Sequence, residues 1–185
     1  MLRNYRKPLV VITPKIGLKH SAYASELSEF LESTKFLPII CDNYGNTNEN
    51  FKNLKGVIFC SGQIFLELKR NADNLIEDGK TVSYVTIRIE EIAPFPEREI
   101  LDLLSKGGIS KNSQFYWVQE ESMNMGCYGY ASPHLRRIMR NLGLKQNDIV
   151  YIGRDAQVGA NGCAADHKKE TEKLHKEIAV LISSS

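Results

Sequence analysis

Apolar residues fall into short unbroken runs separated by longer amphipathic stretches, the signature of buried strands alternating with surface helices. The strand-like runs are Pro8-Leu-Val-Val-Ile-Thr13, Phe36 to Ile40, Lys55-Gly-Val-Ile-Phe-Cys60, Thr81 to Glu90, Phe115 to Val118 and Asp148 to Ile152. Helical spacing links Tyr23, Leu27, Phe30 and Leu31, from a candidate N-cap at Ser21 to about Ser33. It returns in Ile64, Phe65, Leu68 and Leu75 after the Ser61-Gly62 turn, and in Ile100, Leu101 and Leu104 between Pro94-Phe95-Pro96 and Gly107-Gly108. Leu135, Ile138, Met139 and Leu142 follow Ser132-Pro133 and end at Gly143, and Leu174, Ile178 and Leu181 mark a last helix opening at Asp166. Strands alternating with helices predict a three-layer α/β/α domain with a mostly parallel sheet. With no repeat and no linker in view, residues 1–185 read as one domain.

The stretch Phe115 to Tyr130, FYWVQEESMNMGCYGY, organises the rest. It opens as an aromatic, β-branched strand, turns polar at Gln119, Glu120 and Glu121, breaks at Gly126 and runs through Tyr128 and Tyr130 toward Ser132-Pro133. A strand that delivers two carboxylates and an amide into an irregular loop suits either chemistry or a subunit contact; a solvated strand end reads the same way. Asp42 to Asn53 is Asn-rich and reads as a loop, and Gly153 to Ala165 is Gly/Ala-rich and reads as a surface crossing or a close contact with another chain.

Charge changes this picture little. Lys+Arg 24 against Asp+Glu 22 gives +2, which points to neither nucleic acid nor an anionic membrane. No run approaches the roughly 18 apolar residues of a spanning helix. Cys41, Cys60, Cys127 and Cys163 show no CxxC, so they read as reduced thiols; Cys163 and His167 lack the further ligands of a zinc site, and no metal is expected.

Two local features bear on anions. Ser61-Gly62 joins a strand to a helix N-terminus, where free N–H groups and the helix dipole favour negative charge. Arg6 precedes the first strand-like run and Lys15 follows it, while Arg88 sits among apolar neighbours, where it needs a carboxylate or an anionic ligand. Glu90 and the carboxylates of the Gln119-Glu-Glu121 segment are its candidate partners.

Six blocks in fixed order now identify a relative. RKPLVVITPK, Phe59-Cys-Ser-Gly62, the RIEEIAPFP run from Arg88 to Pro96, the WVQEESMNMG run from Trp117 to Gly126, Tyr151-Ile-Gly-Arg154 and a late His167 closely resemble the C-terminal domain of the thiamine-dependent first component of 2-oxoglutarate dehydrogenase, including its 2-oxoadipate-type relatives. The resemblance implies a transketolase C-terminal-like fold and a long chain that forms homodimers. It implies decarboxylation of a 2-oxo acid on thiamine diphosphate with Mg, and acyl transfer to the lipoyl acyltransferase component of a multienzyme complex. It further implies a mitochondrial matrix location in a eukaryote and a cytoplasmic one otherwise.

The same resemblance gives Gln119, Glu120, Glu121, Asn124, Met125, Gly126 and Arg154 interface or structural roles. It makes Arg6, Lys15, Ser61, Gly62, Gln63 and Arg88 candidates for an acetyl-CoA or similar anion site; a stand-alone regulatory domain built on that site is the alternative reading. Two departures stand out: Gln63 replaces the lysine usual in the family, and Gly159-Ala-Asn-Gly162 is shorter than the corresponding segment. No Gly-Asp-Gly diphosphate motif occurs, and His20, His134, His167 and His175 are scattered. The chain is therefore expected to be a piece of the enzyme that supplies no catalytic residue and is inactive alone.

Overall fold

A computed structural model of the chain describes residues 4–8, 10–13, 15–31, 34–44, 50–145, 148–159 and 164–183. These divide into two compact units, Met1–Thr34 and Lys35–Ser185.

The larger unit is a five-stranded sheet. In chain order its elements are β1 (Ile39–Asp42), β2 (Gly56–Cys60), α1 (Ile64–Glu77), β3 (Tyr84–Ile89), α2 (Glu97–Gly107), β4 (Gln114–Ser122), α3 (Tyr128–Leu142), β5 (Ile149–Arg154) and α4 (Ala164–Ser183). The strands lie in the order β1-β3-β2-β4-β5, and β1 alone is antiparallel to its neighbour. Alternate side chains serve opposite faces, as the pleat requires. Val57, Phe59, Val85, Ile87, Phe115 and Trp117 meet α2 and α3 on one face. Ile58, Cys60, Tyr84 and Val118 meet α1 and α4 on the other. This is the predicted three-layer α/β/α arrangement with a mostly parallel sheet.

Between β1 and β2 the chain changes faces. Tyr44 is buried with the α1/α4 cluster and its hydroxyl meets that of Thr86. Phe51 is buried with the α2/α3 cluster, and its N–H donates to the Gly107 carbonyl at 2.8 Å. Gly107 has no room for a side chain because the Phe51 ring occupies that space.

Several boundaries differ from the sequence pattern. Residues 36–38 stay outside β1, which instead continues through Asp42. β3 starts at Tyr84, leaving 81–83 outside. β4 runs on to Ser122, so Gln119, Glu120 and Glu121 belong to the strand and not to a loop. α3 begins at Tyr128, ahead of Pro133. Its first turn is already closed by the N–H groups of Tyr130 and Ala131 bonding to the Cys127 carbonyl at 3.0 and 2.8 Å, so a proline further along does not set the start.

The smaller unit departs further. The described residues of 8–13 form no strand, and Ile12 is 96% exposed. Strand propensity counts only where a ladder partner and a covering face exist, and neither is found there among the described residues. Among the described residues of the helix predicted for 21–33 there are instead two short 3₁₀ turns, Ser21–Tyr23 and Leu27–Phe30, and a third, Lys15–Lys19, precedes them. Leu27, Phe30 and Leu31 are exposed, so that part of the apolar stripe lacks a covering face among the described residues, and short helices without packing are marginal.

Candidate functional site

Parallel α/β sheets place their chemistry at the carboxyl ends of the strands. Two groupings occupy that edge here. The first closes the ends of β4 and β5. Gln119 is 2% exposed and wholly engaged. Its Oε1 accepts from the Trp117 indole N–H at 2.8 Å and from the Tyr128 backbone N–H at 3.1 Å. Its Nε2 donates to the carbonyls of Glu121 at 3.2 Å and Ser122 at 3.0 Å. One amide thus ties the strand, its own turn and the start of α3. Gly126 makes room for it, since a Cβ there would stand 2.5 Å from that amide.

Arg154 completes the grouping. It is buried, donates through Nε to the Glu120 carbonyl at 2.7 Å and through Nη1 to His167 Nδ1 at 2.7 Å, with Glu170 at 4.0 Å. Asn124 and Gln157 exchange a reciprocal pair, Nδ2–H to the Gln157 carbonyl at 2.8 Å and the Gln157 N–H to Oδ1 at 3.0 Å. The consequence lies outside: Met123 and Met125 are held on a fixed turn, and Tyr130 on the first turn of α3, with their side chains exposed.

The second grouping closes β2 and β3. Ser61, Gly62 and Gln63 lead into α1, with Gly62 at φ +73° and open space where a Cβ would stand. Cys60 and Arg88 are register partners, which brings Arg88 beside this turn. The carboxylate expected for Arg88 is that of Glu90, and its guanidinium lies over the Phe65 ring at 4.6 Å. Gln63 Nε2 donates to Glu120 Oε2 at 2.6 Å. The turn therefore carries one cation and two carboxylates. Arg6 and Lys15 belong to the Met1–Thr34 unit.

Nucleophilic chemistry finds little support in this edge. Burial pushes the Cys60 thiol up to about 12, despite Arg88 nearby, and burial with Glu121 beside it also raises Cys127. Neither supplies a thiolate at neutral pH. Cys163 and 160–162 lie outside the described residues. Among the described residues no group of His, Cys, Asp and Glu is placed to hold a metal ion, and no helix is long and apolar enough to cross a membrane. Thiamine diphosphate needs oxygen ligands for its divalent ion; the carboxylates described at this edge, Glu90 and Glu120, are engaged singly by Arg88 and Gln63 and do not form such a set.

Sequence reasoning missed three residues that matter. Trp117 and Gln119, two apart on one face of a strand, announce an indole donor beside an amide acceptor. Tyr151, whose hydroxyl donates to the Arg154 carbonyl at 2.9 Å, carried no such signal. Nor did Glu97, where burial raises the carboxyl but hydrogen bonds from Arg137 and His134 outweigh it and hold it below its ordinary range. Phe95 stacks on that His134 ring at 4.9 Å.

Fold and edge together define a three-layer α/β domain with one antiparallel edge strand and a hydrogen-bonded closure at the carboxyl ends of β4 and β5. Residues 24–179 match the 2-oxoglutarate dehydrogenase C-terminal family, and the chain belongs to it. It is 37% identical over 177 residues to the probable 2-oxoadipate dehydrogenase complex component E1 homolog of Dictyostelium discoideum, covering 94% of this chain and 18% of that one. It is 34% identical over 178 residues to the 2-oxoglutarate dehydrogenase E1 component of Rickettsia felis, covering 96% and 17%. Against the 2-oxoglutarate dehydrogenase E1 component of Bacillus subtilis it is 33% identical over 175 residues, covering 94% and 17%. The chain spans less than a fifth of the length of these relatives.

Proposed function

We propose that these 185 residues are the C-terminal domain of a longer, thiamine-dependent first component of a 2-oxo acid dehydrogenase complex, acting on 2-oxoglutarate or a close homologue. What carries the reading is the family match over 24–179 in a chain whose strand edge is closed by Gln119 and Arg154. In this reading thiamine diphosphate and Mg are held by the upstream part, and the acyl group passes to the lipoyl acyltransferase partner.

The domain's own task is to build the homodimer. Met123 and Met125, presented on a turn fixed by Gln119, Asn124 and Gly126, and Tyr130 at the start of α3 are the side chains it offers, and methionine and tyrosine are enriched at interface cores. The Ser61–Gln63 turn with Arg88 is a weak contact for an anionic effector of acetyl-CoA type, weakened by the Glu90 and Glu120 carboxylates.

Two measurements on one protein test this. Purified with its upstream part, it should turn over 2-oxoglutarate with thiamine diphosphate and Mg, whereas the 185-residue chain should not. Met125→Glu in the longer protein should raise the dimer dissociation constant at least about tenfold on dilution, as a charge at an interface core would. Turnover by the short chain refutes the first half, and an unchanged dimer constant the second.

A further inference from the structure

β5 is the outer strand of its sheet and pairs only with β4. Its other edge carries backbone N–H and C=O groups with no strand beside them among the described residues, the feature proteins normally hide or guard. Along that edge runs a groove of about 720 Å³ between Tyr151 and Ile152 of β5 and the outward face of α4. Lys169, Lys173 and Lys176 line it, with Glu172 and Glu177, and Val180 and Leu181 close one end. From 169 to 181 the helix covers about 18 Å at its usual rise, the length of five or six extended residues. β5 itself has six.

Charge says what the groove accepts. Lys173 is engaged by Asp155 at 3.6 Å and Glu177 at 3.8 Å. Lys169 and Lys176 carry no ion pair among the described residues and are exposed. An uncharged strand gains nothing from them. A second copy would bring its own mixture of lysines and glutamates to the groove, so its charges give it less attraction than an acidic strand has. An acidic strand would be drawn in, its carboxylates on the α4 face and its alternate apolar side chains on the opposite face beside Tyr151.

We propose that the β5 edge and the overhanging face of α4 form a docking groove for an extended segment of a partner protein in which acidic and apolar residues alternate. The segment adds to the sheet as a further strand, its backbone bonding to β5 and its carboxylates meeting Lys169 and Lys176. This does not depend on the assignment of thiamine chemistry to an upstream part.

The test is a titration of the ¹⁵N-labelled 185-residue chain with the capped peptide Glu-Val-Glu-Val-Glu-Val, beside a Lys-Val peptide of the same length. The acidic peptide should shift and protect the amides of β5 and move those of α4 from Lys169 to Val180. Binding should weaken as salt rises and fall at least about tenfold in the Lys169→Glu, Lys176→Glu double variant, whose altered positions are exposed and leave the core intact. No shift at millimolar peptide overturns the proposal, as does equal response to the Lys-Val peptide. So does a chain that sediments as a dimer with β5 amides already protected, which would put a second copy in the groove.

Discussion

The two closures at the carboxyl edge of the sheet sit on neighbouring strands and use similar residues, yet they are built oppositely. Around β4 and β5, Gln119 spends most of its hydrogen bonds on backbone groups of its own chain, and Arg154 joins it with one to the Glu120 carbonyl beside its contact with His167. Around β2 and β3, Arg88 and Gln63 meet the side chains of Glu90 and Glu120, and Gly62 leaves open space. A polar side chain bonded to backbone groups cannot release them without unfolding the turn they belong to. One bonded to another side chain can exchange its partner for a ligand. The partner's kind, more than the residue's, separates a structural site from a binding one.

Gln119→Leu should break the first closure most severely. It strands the Trp117 and Tyr128 N–H groups and two carbonyls, each worth about 1–3 kcal/mol when left buried and unbonded. We expect a loss of about 3 kcal/mol or more in urea unfolding. A loss below about 1 kcal/mol would mean that water takes over the amide's role and that the contrast is overstated.

Arg88→Met should cost less, about 1 kcal/mol by the same measurement. The 2–4 kcal/mol suggested by a cation in an apolar strand requires a partner left buried. The Glu90 side chain is 33% exposed and can turn to water. A cost above about 3 kcal/mol would make this pair part of the structural class.

Gln63→Lys should have the smallest effect. It brings a cation to the open turn, but Glu120, 2.6 Å from the amide being replaced, would claim part of its charge. Acetyl-CoA affinity by calorimetry should improve by less than about tenfold. A larger gain would show that the turn is a cation short of a strong site; no gain, with no binding to either protein at millimolar ligand, would make it structural.

What the chain reveals in advance follows physical range. β2 and β4 are read from runs that are apolar on both faces, because buried parallel strands need them. α1 and α2 are read from Ile64, Phe65 and Leu68 and from Ile100 and Leu104, whose spacing is the helix's own. Val10, Val11 and Ile12 mislead for the converse reason: an apolar run states that something should cover it without saying what. The bonds of Gln119 were not legible, because three of its partners are backbone groups, which no pattern of side chains displays. The Trp117 and Gln119 pairing, with Gly126 a turn away, was the one visible clue. For Arg88 the chemistry was legible, since a cation among apolar neighbours demands a carboxylate and Glu90 lies on the same strand end.

Tyr44 and Phe51 bear on how this domain tolerates change in length. Each is buried in a different layer, and each is held by a bond of its own, to Thr86 and to the Gly107 carbonyl. Each anchor thus holds through its own layer and its own hydrogen bond. Doubling the length of a loop between two such anchors costs only about 0.6 kcal/mol in closure entropy. Length added between these two anchors should accordingly cost little while both stay in place, which leaves the two faces of the sheet to fold as before.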